Sequence, residues 1–76
     1  MKLTELKIKT PVIVEKINGG DNLSKRLESL GIREGCAITK IGAQFWRGPI
    51  TIMAGKTKIA IGFGMAEKIN VGDYGK

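Results

Sequence analysis

With no histidine, and with Cys36 as its one thiol, the chain lacks the side chains that most often move protons at neutral pH, form covalent intermediates or hold zinc. Its seven carboxylates are scattered and show no ligand spacing. No nucleophile–base pair can be assembled from them and the lysines. Catalysis is therefore not expected, and no cofactor is implied. Two glycine motifs imitate nucleotide sites and fail on context. Gly55-Lys56-Thr57 copies the end of the phosphate-binding loop G-x-x-x-x-G-K-[ST], but the first glycine of that loop would fall on Ile50. The segment also joins two strands, where a phosphate loop must open a helix so that its amides face the anion. Gly62-Phe63-Gly64 lacks the third glycine of a dinucleotide fingerprint. The first reads as a hairpin turn and the second as a place where a strand bends. Cys36 runs in phase with Ile38 and reads as a buried core thiol.

Chemistry of recognition is better represented. Phe45-Trp46-Arg47-Gly48-Pro49 sets two aromatics and an arginine in a glycine-flanked loop, the residue types that anchor interfaces. One aromatic is expected to fold back over the mouth of the domain and the other to meet a partner. Thirteen Lys and Arg against seven Asp and Glu give a formal charge of +6, and the excess is uneven. Residues 35–66 contain Lys40, Arg47, Lys56 and Lys58 and no acidic residue. Such a stretch reads as a solvated surface, or as a face for an acidic protein, nucleic acid or an anionic membrane.

These residues need short elements to hold them. Pro11-Val12-Ile13-Val14-Glu15-Lys16-Ile17 is β-branched, with proline where a strand tolerates it. Asn18-Gly19-Gly20-Asp21 is a turn by composition. Leu23, Leu27 and Leu30 recur on one helical face, with Asp21 or Asn22 as the expected cap and Gly31 as the expected left-handed stop. Lys25, Arg26, Glu28 and Ser29 face away. A strand is expected from Cys36 to Ile41, a loop over residues 42–48, and a hairpin in which Ile50, Ile52 and Ala54 face Ile59, Ile61 and Phe63 inward. One helical turn follows at residues 65–68, then a last strand at residues 69–71 and a frayed tail at residues 72–76. The segment around Thr4 is ambiguous between a helical turn and an edge strand.

Seventy-six residues make one domain, burying only about 60% of its unfolded surface. Five short strands and one short helix cannot cover both faces of a flat sheet. A small, strongly bent barrel with the helix over one opening is the economical arrangement. A lone thiol suits a reducing compartment, the start of the chain has no apolar block of a secretory signal, and no run approaches the ~20 apolar residues that cross a bilayer. The expectation is a cytoplasmic protein not inserted in a membrane.

The run Arg26-Leu27-Glu28-Ser29-Leu30-Gly31-Ile32-Arg33-Glu34-Gly35 resembles the FeoA family. So do Gly48-Pro49-Ile50, Lys58-Ile59-Ala60-Ile61 and Ala66-Glu67-Lys68-Ile69-Asn70-Val71, which follow it in the family's order, and Leu3-Thr4-Glu5-Leu6 at the start. The resemblance spans residues 3–71. It implies an SH3-like β-barrel and a small cytoplasmic accessory protein of bacterial ferrous iron uptake. The implied partner is FeoB, a membrane transporter with a cytoplasmic GTP-binding part that the accessory protein regulates. The chain departs from the family in its aromatic loop and in Gly62-Phe63-Gly64, where basic or polar residues are more usual. No iron ligand is implied at any residue.

The leading expectation is thus a non-enzymatic module docking on the cytoplasmic part of that transporter. Phe45, Trp46 and Arg47 are its first contacts, and Arg26 and Arg33 are secondary ones. A GTPase-activating role would draw on one of these three arginines. The alternative is a basic barrel that binds single-stranded nucleic acid by stacking bases on Phe45 and Trp46. A direct iron carrier is a third reading, poorly supported by the ligand inventory.

Overall fold

In the computed structural model residues 1–44 and 46–74 are described. A 3₁₀ turn over Leu3–Glu5 precedes strand β1 (Pro11–Ile17), helix α1 (Gly20–Ser29), β2 (Ala37–Ala43), β3 (Ile50–Ala54), β4 (Thr57–Ile61), the single turn α2 (Phe63–Ala66) and β5 (Ile69–Asp73). The strands form one sheet in the order β4-β3-β2-β1-β5, and every neighbouring pair is antiparallel.

Two irregularities bend this sheet. The β1–β5 register slips between Val14 and Lys16, leaving Glu15 as the extra residue. The β2–β3 register slips between Lys40 and Gly42, leaving Ile41 extra. A bulge of this kind sharpens local twist and coiling, so the sheet curls around one core. Val14, Leu27, Ile32, Ile38, Ile52 and Ile69 lie fully inside it. Among the described residues no ladder joins β4 to β5. The seam is spanned instead by α2, which links the two strands, and by the 3₁₀ turn against which α2 and β5 rest. Thr4 Oγ1 donates to Glu67 Oε2 (3.2 Å), and the Val71 N–H donates to the Met1 carbonyl (2.7 Å). The result is mainly β, a small SH3-like barrel with one short helix.

Helix α1 docks through Leu27, which is fully buried, with Leu23 half-buried beside the core. Gly31 takes φ +92°, the left-handed stop expected of it. The start of the helix differs from expectation. Gly19 is the N-cap and no side chain caps it; Asp21 and Asn22 lie within the first turn. Packing bears on this: a Cβ at Gly19 would meet the end of the Leu23 side chain, which would have to shift to admit a capping residue. Leu30 closes the helix as C-cap and is exposed.

Several boundaries also move. β2 extends to Ala43 because the Ile41 bulge lets pairing resume at Gly42. β4 stops at Ile61, and Phe63, expected in the strand, opens α2 half-buried against the core. β5 continues through Asp73, which pairs with Val12, so residues 72 and 73 are strand rather than tail; residues 75 and 76 lie outside the described residues. Cys36 is only half-buried, and its Sγ accepts from the Arg33 N–H at 3.4 Å.

Candidate partner-binding surface

The β2–β3 hairpin carries the most exposed aromatic among the described residues. Trp46 is 97% exposed. It and Arg47 both have φ of +60°, a left-handed pair of the kind usually built from Asn-Gly. Two bulky residues in that conformation are held under strain. The hairpin closes below them through Ala43 opposite Ile50 and through the Gln44 N–H to Pro49 carbonyl bond (3.3 Å). The Arg47 guanidinium lies 5.9 Å from the centre of the Phe63 ring, within reach of a cation–π contact. Phe63 is thereby engaged beneath the tip, and Trp46 projects away from the body. Phe45, the other aromatic expected here, lies outside the described residues.

Arg26 and Arg33 belong elsewhere. Arg26 is exposed in the last turn of α1, where Ser29 Oγ donates to its carbonyl (2.7 Å). Arg33 sits in the turn between α1 and β2. That turn is fixed to β1 by Gly35 N–H to the Val14 carbonyl (2.7 Å) and by Ile17 N–H to Glu34 Oε2 (3.0 Å). Arg33 lines a groove of about 270 Å³ with Ile17, Ser24, Glu28 and Glu34. Two carboxylates share that groove and offset its charge, unlike the acid-free segment that carries Trp46. The two sets of candidates lie at opposite ends of β2, whose seven residues span about 20 Å. The structure therefore separates residues that the sequence grouped together.

One functional-looking cation was misread in the sequence. Lys40, counted with the surface charge of residues 35–66, is 5% exposed. Its Nζ donates toward the carbonyls of Leu6 (2.8 Å), Thr4 (3.2 Å) and Leu3 (3.4 Å). Burial lowers its pKa from the usual 10.5. The missed signal was its phase: Lys40 follows Ile38 by two residues and so faces inward with it. Lys40 ties the 3₁₀ turn to β2 and is not available to a partner.

Among the described residues no group of three or more Cys, Asp or Glu is placed to hold a metal ion. Among the described residues no helix is long and apolar enough to cross a membrane. Fold and surface together define an SH3-like barrel whose prominent feature is an exposed tryptophan at a hairpin tip. The FeoA domain model matches residues 1–72, and the chain belongs to the FeoA family, as the sequence resemblance implied. A Methanocaldococcus jannaschii protein bearing the name Fe(2+) transport protein A is 44% identical over 62 residues, covering 82% of this chain and 73% of that protein. A crystal structure of an iron uptake regulatory protein, FeoA, superposes with a TM-score of 0.83 at 34% identity, covering 93% of this chain and 92% of the other. A Stenotrophomonas maltophilia FeoA complexed with zinc, described as a procaryotic SH3 domain protein, has a TM-score of 0.78 at 25% identity over 95% and 89% of the two chains. The family ties the chain to ferrous iron transport in an accessory role.

Proposed function

We propose that this chain is a non-enzymatic cytoplasmic protein that docks on the cytoplasmic GTP-binding part of a FeoB-type membrane transporter and regulates ferrous iron uptake. Trp46 carries the reading: an almost fully exposed indole beside an arginine, held at a hairpin tip in a strained conformation. Water penalises an exposed indole, and a partner that covers it recovers that cost. Backbone strain that packing does not require is a mark of function. Arg47 adds a positive charge in a segment without acidic residues, which suits an acidic partner surface. Phe45 belongs to the same contact set by sequence. Arg26 and Arg33 form a second, weaker contact region beyond the far end of β2.

Capture of the transporter's cytoplasmic domain by wild type and by Trp46→Ala tests this. Wild type should retain the domain and the variant should lose most of it; equal capture removes Trp46 from the interface. If regulation works through nucleotide hydrolysis, one of the exposed arginines Arg26, Arg33 and Arg47 would have to reach a phosphate. Unchanged GTP turnover on adding this protein would remove that form of regulation. The nucleic-acid alternative draws on the same exposed Trp46 and basic segment, and absence of single-strand binding at low salt removes it.

A further inference from the structure

β4 is an outer strand of the sheet. The two-residue turn at Gly55 and Lys56 makes Ala54 and Thr57 a hydrogen-bonded pair. Antiparallel pairs alternate, so Thr57, Ile59 and Ile61 turn their backbone groups toward β3. Lys58 and Ala60 turn theirs the other way. Among the described residues no backbone or side-chain group meets those two N–H and two C=O groups. The other outer strand, β5, is not open in this way, because Met1 and Lys2 pair with Val71 and Asn70 along it. Lys58 and Ala60 are exposed, while Ile59 and Ile61 fill the core. The edge is thus rigidly backed and presented to solvent.

The segment that carries this edge has one sign of charge. Lys56 and Lys58 stand at the start of β4. At its other end Ile61 leads through Gly62 to Phe63, over which Arg47 lies. Residues 35–66 contain no carboxylate to offset them. A lysine on a free edge discourages pairing with an identical edge, since two copies would bring their lysines together. It does not discourage an acidic strand.

We propose that the outer edge of β4 accepts an extended acidic segment of a partner protein as an added strand. Lys58 and Ala60 supply the backbone hydrogen bonds, and Lys56, Lys58 and Arg47 supply the charge. The proposal deepens the docking reading above and rests on it for the identity of the partner, though not for the chemistry of the segment. It makes the Trp46 tip and the β4 edge one continuous footprint, joined through Arg47 and Phe63.

The probe is a capped peptide of alternating Glu and Val, titrated into isotope-labelled protein while backbone amide shifts are followed. The largest shifts should centre on Lys58 and Ala60, and the acidic peptide should bind about tenfold or more tightly than its Lys–Val counterpart. Ala60→Pro removes one outward N–H without breaking a β3–β4 bond and should abolish those shifts. Ala60→Val keeps the N–H and should preserve them, which separates a lost hydrogen bond from a disturbed strand. Absence of shifts on β4, shifts centred elsewhere, or equal binding of both peptides overturns the proposal. The transporter's cytoplasmic domain is a separate arm. If the domain fails to bind while the peptide lands on β4, the docking reading falls and the edge stands. If the domain binds Ala60→Pro as well as wild type, the edge falls and the docking reading stands.

Discussion

Lys40 shows how one residue can be placed by distant chain. Its inward direction was legible in its phase with Ile38. Its purpose was not, because the three carbonyls it reaches lie 34 to 37 residues away in sequence, and no local pattern carries such a contact. Replacing it by methionine keeps the apolar stem and removes the ammonium donor from the carbonyls of Thr4 and Leu6, while that of Leu3 keeps the Leu6 N–H. Lys40→Met should therefore lower the stability measured by urea unfolding by about 1–3 kcal/mol. The same lysine sets a pH dependence. Burial lowers its pKa in the folded chain below the 10.5 of the unfolded chain. In the pH window just below 10.5 the unfolded chain then holds more protons, so stability contributed at this site rises with pH through that window. The stability of wild type relative to Lys40→Met should accordingly increase as pH climbs toward 10.5; a decrease would mean that contacts with the carbonyls outweigh burial. Trp46 is the opposite case. Its type and neighbours marked it in the sequence as an interface anchor, and the structure exposes it to solvent, yet its left-handed backbone was hidden because tryptophan rarely occupies that conformation.

At the scale of elements, α1 was legible from Leu23 and Leu27 and from the glycine that ends it, and β1, β3 and β4 from their alternation. The boundaries that moved did so where tertiary contacts overrule local pattern. The Ile41 bulge prolongs β2, pairing with Val12 prolongs β5, and the Leu23 side chain crowds the space a capping residue would need at Gly19. The separation of Arg26 and Arg33 from Trp46 was equally beyond the sequence, since it depends on the direction in which β2 runs between them. The hairpin tip yields the sharpest prediction of this scale. Changing Trp46→Asn together with Arg47→Gly relieves two left-handed non-glycine residues and should raise stability by about 1–2 kcal/mol, read as a higher melting temperature. The same double variant should lose capture of the transporter domain. A gain in stability with loss of binding is the signature of strain kept for function; a loss of stability would show that the tip is held by contacts its backbone angles do not reveal.

On the proposed function, the molecule as a whole works by shape and surface. A barrel of this size has one thin core, so a single cavity matters: Leu27→Ala, at a fully buried position, should cost about 2–5 kcal/mol in urea unfolding and leave little margin. The bent barrel was legible from the number and shortness of the strands, and the family from the order of its motifs along the chain. The way the barrel closes, through α2 and the 3₁₀ turn and not through a ladder, was not legible, because it depends on which strands fail to meet. The central claim is that this barrel acts by binding a transporter's cytoplasmic domain through the Trp46 tip. Since Trp46 is the only tryptophan of the chain, fluorotryptophan incorporation gives one fluorine resonance that reports on it alone. Adding the transporter's cytoplasmic GTP-binding domain should shift and broaden that resonance in a saturable way. A resonance that stays sharp and unmoved at saturating domain would contradict the account.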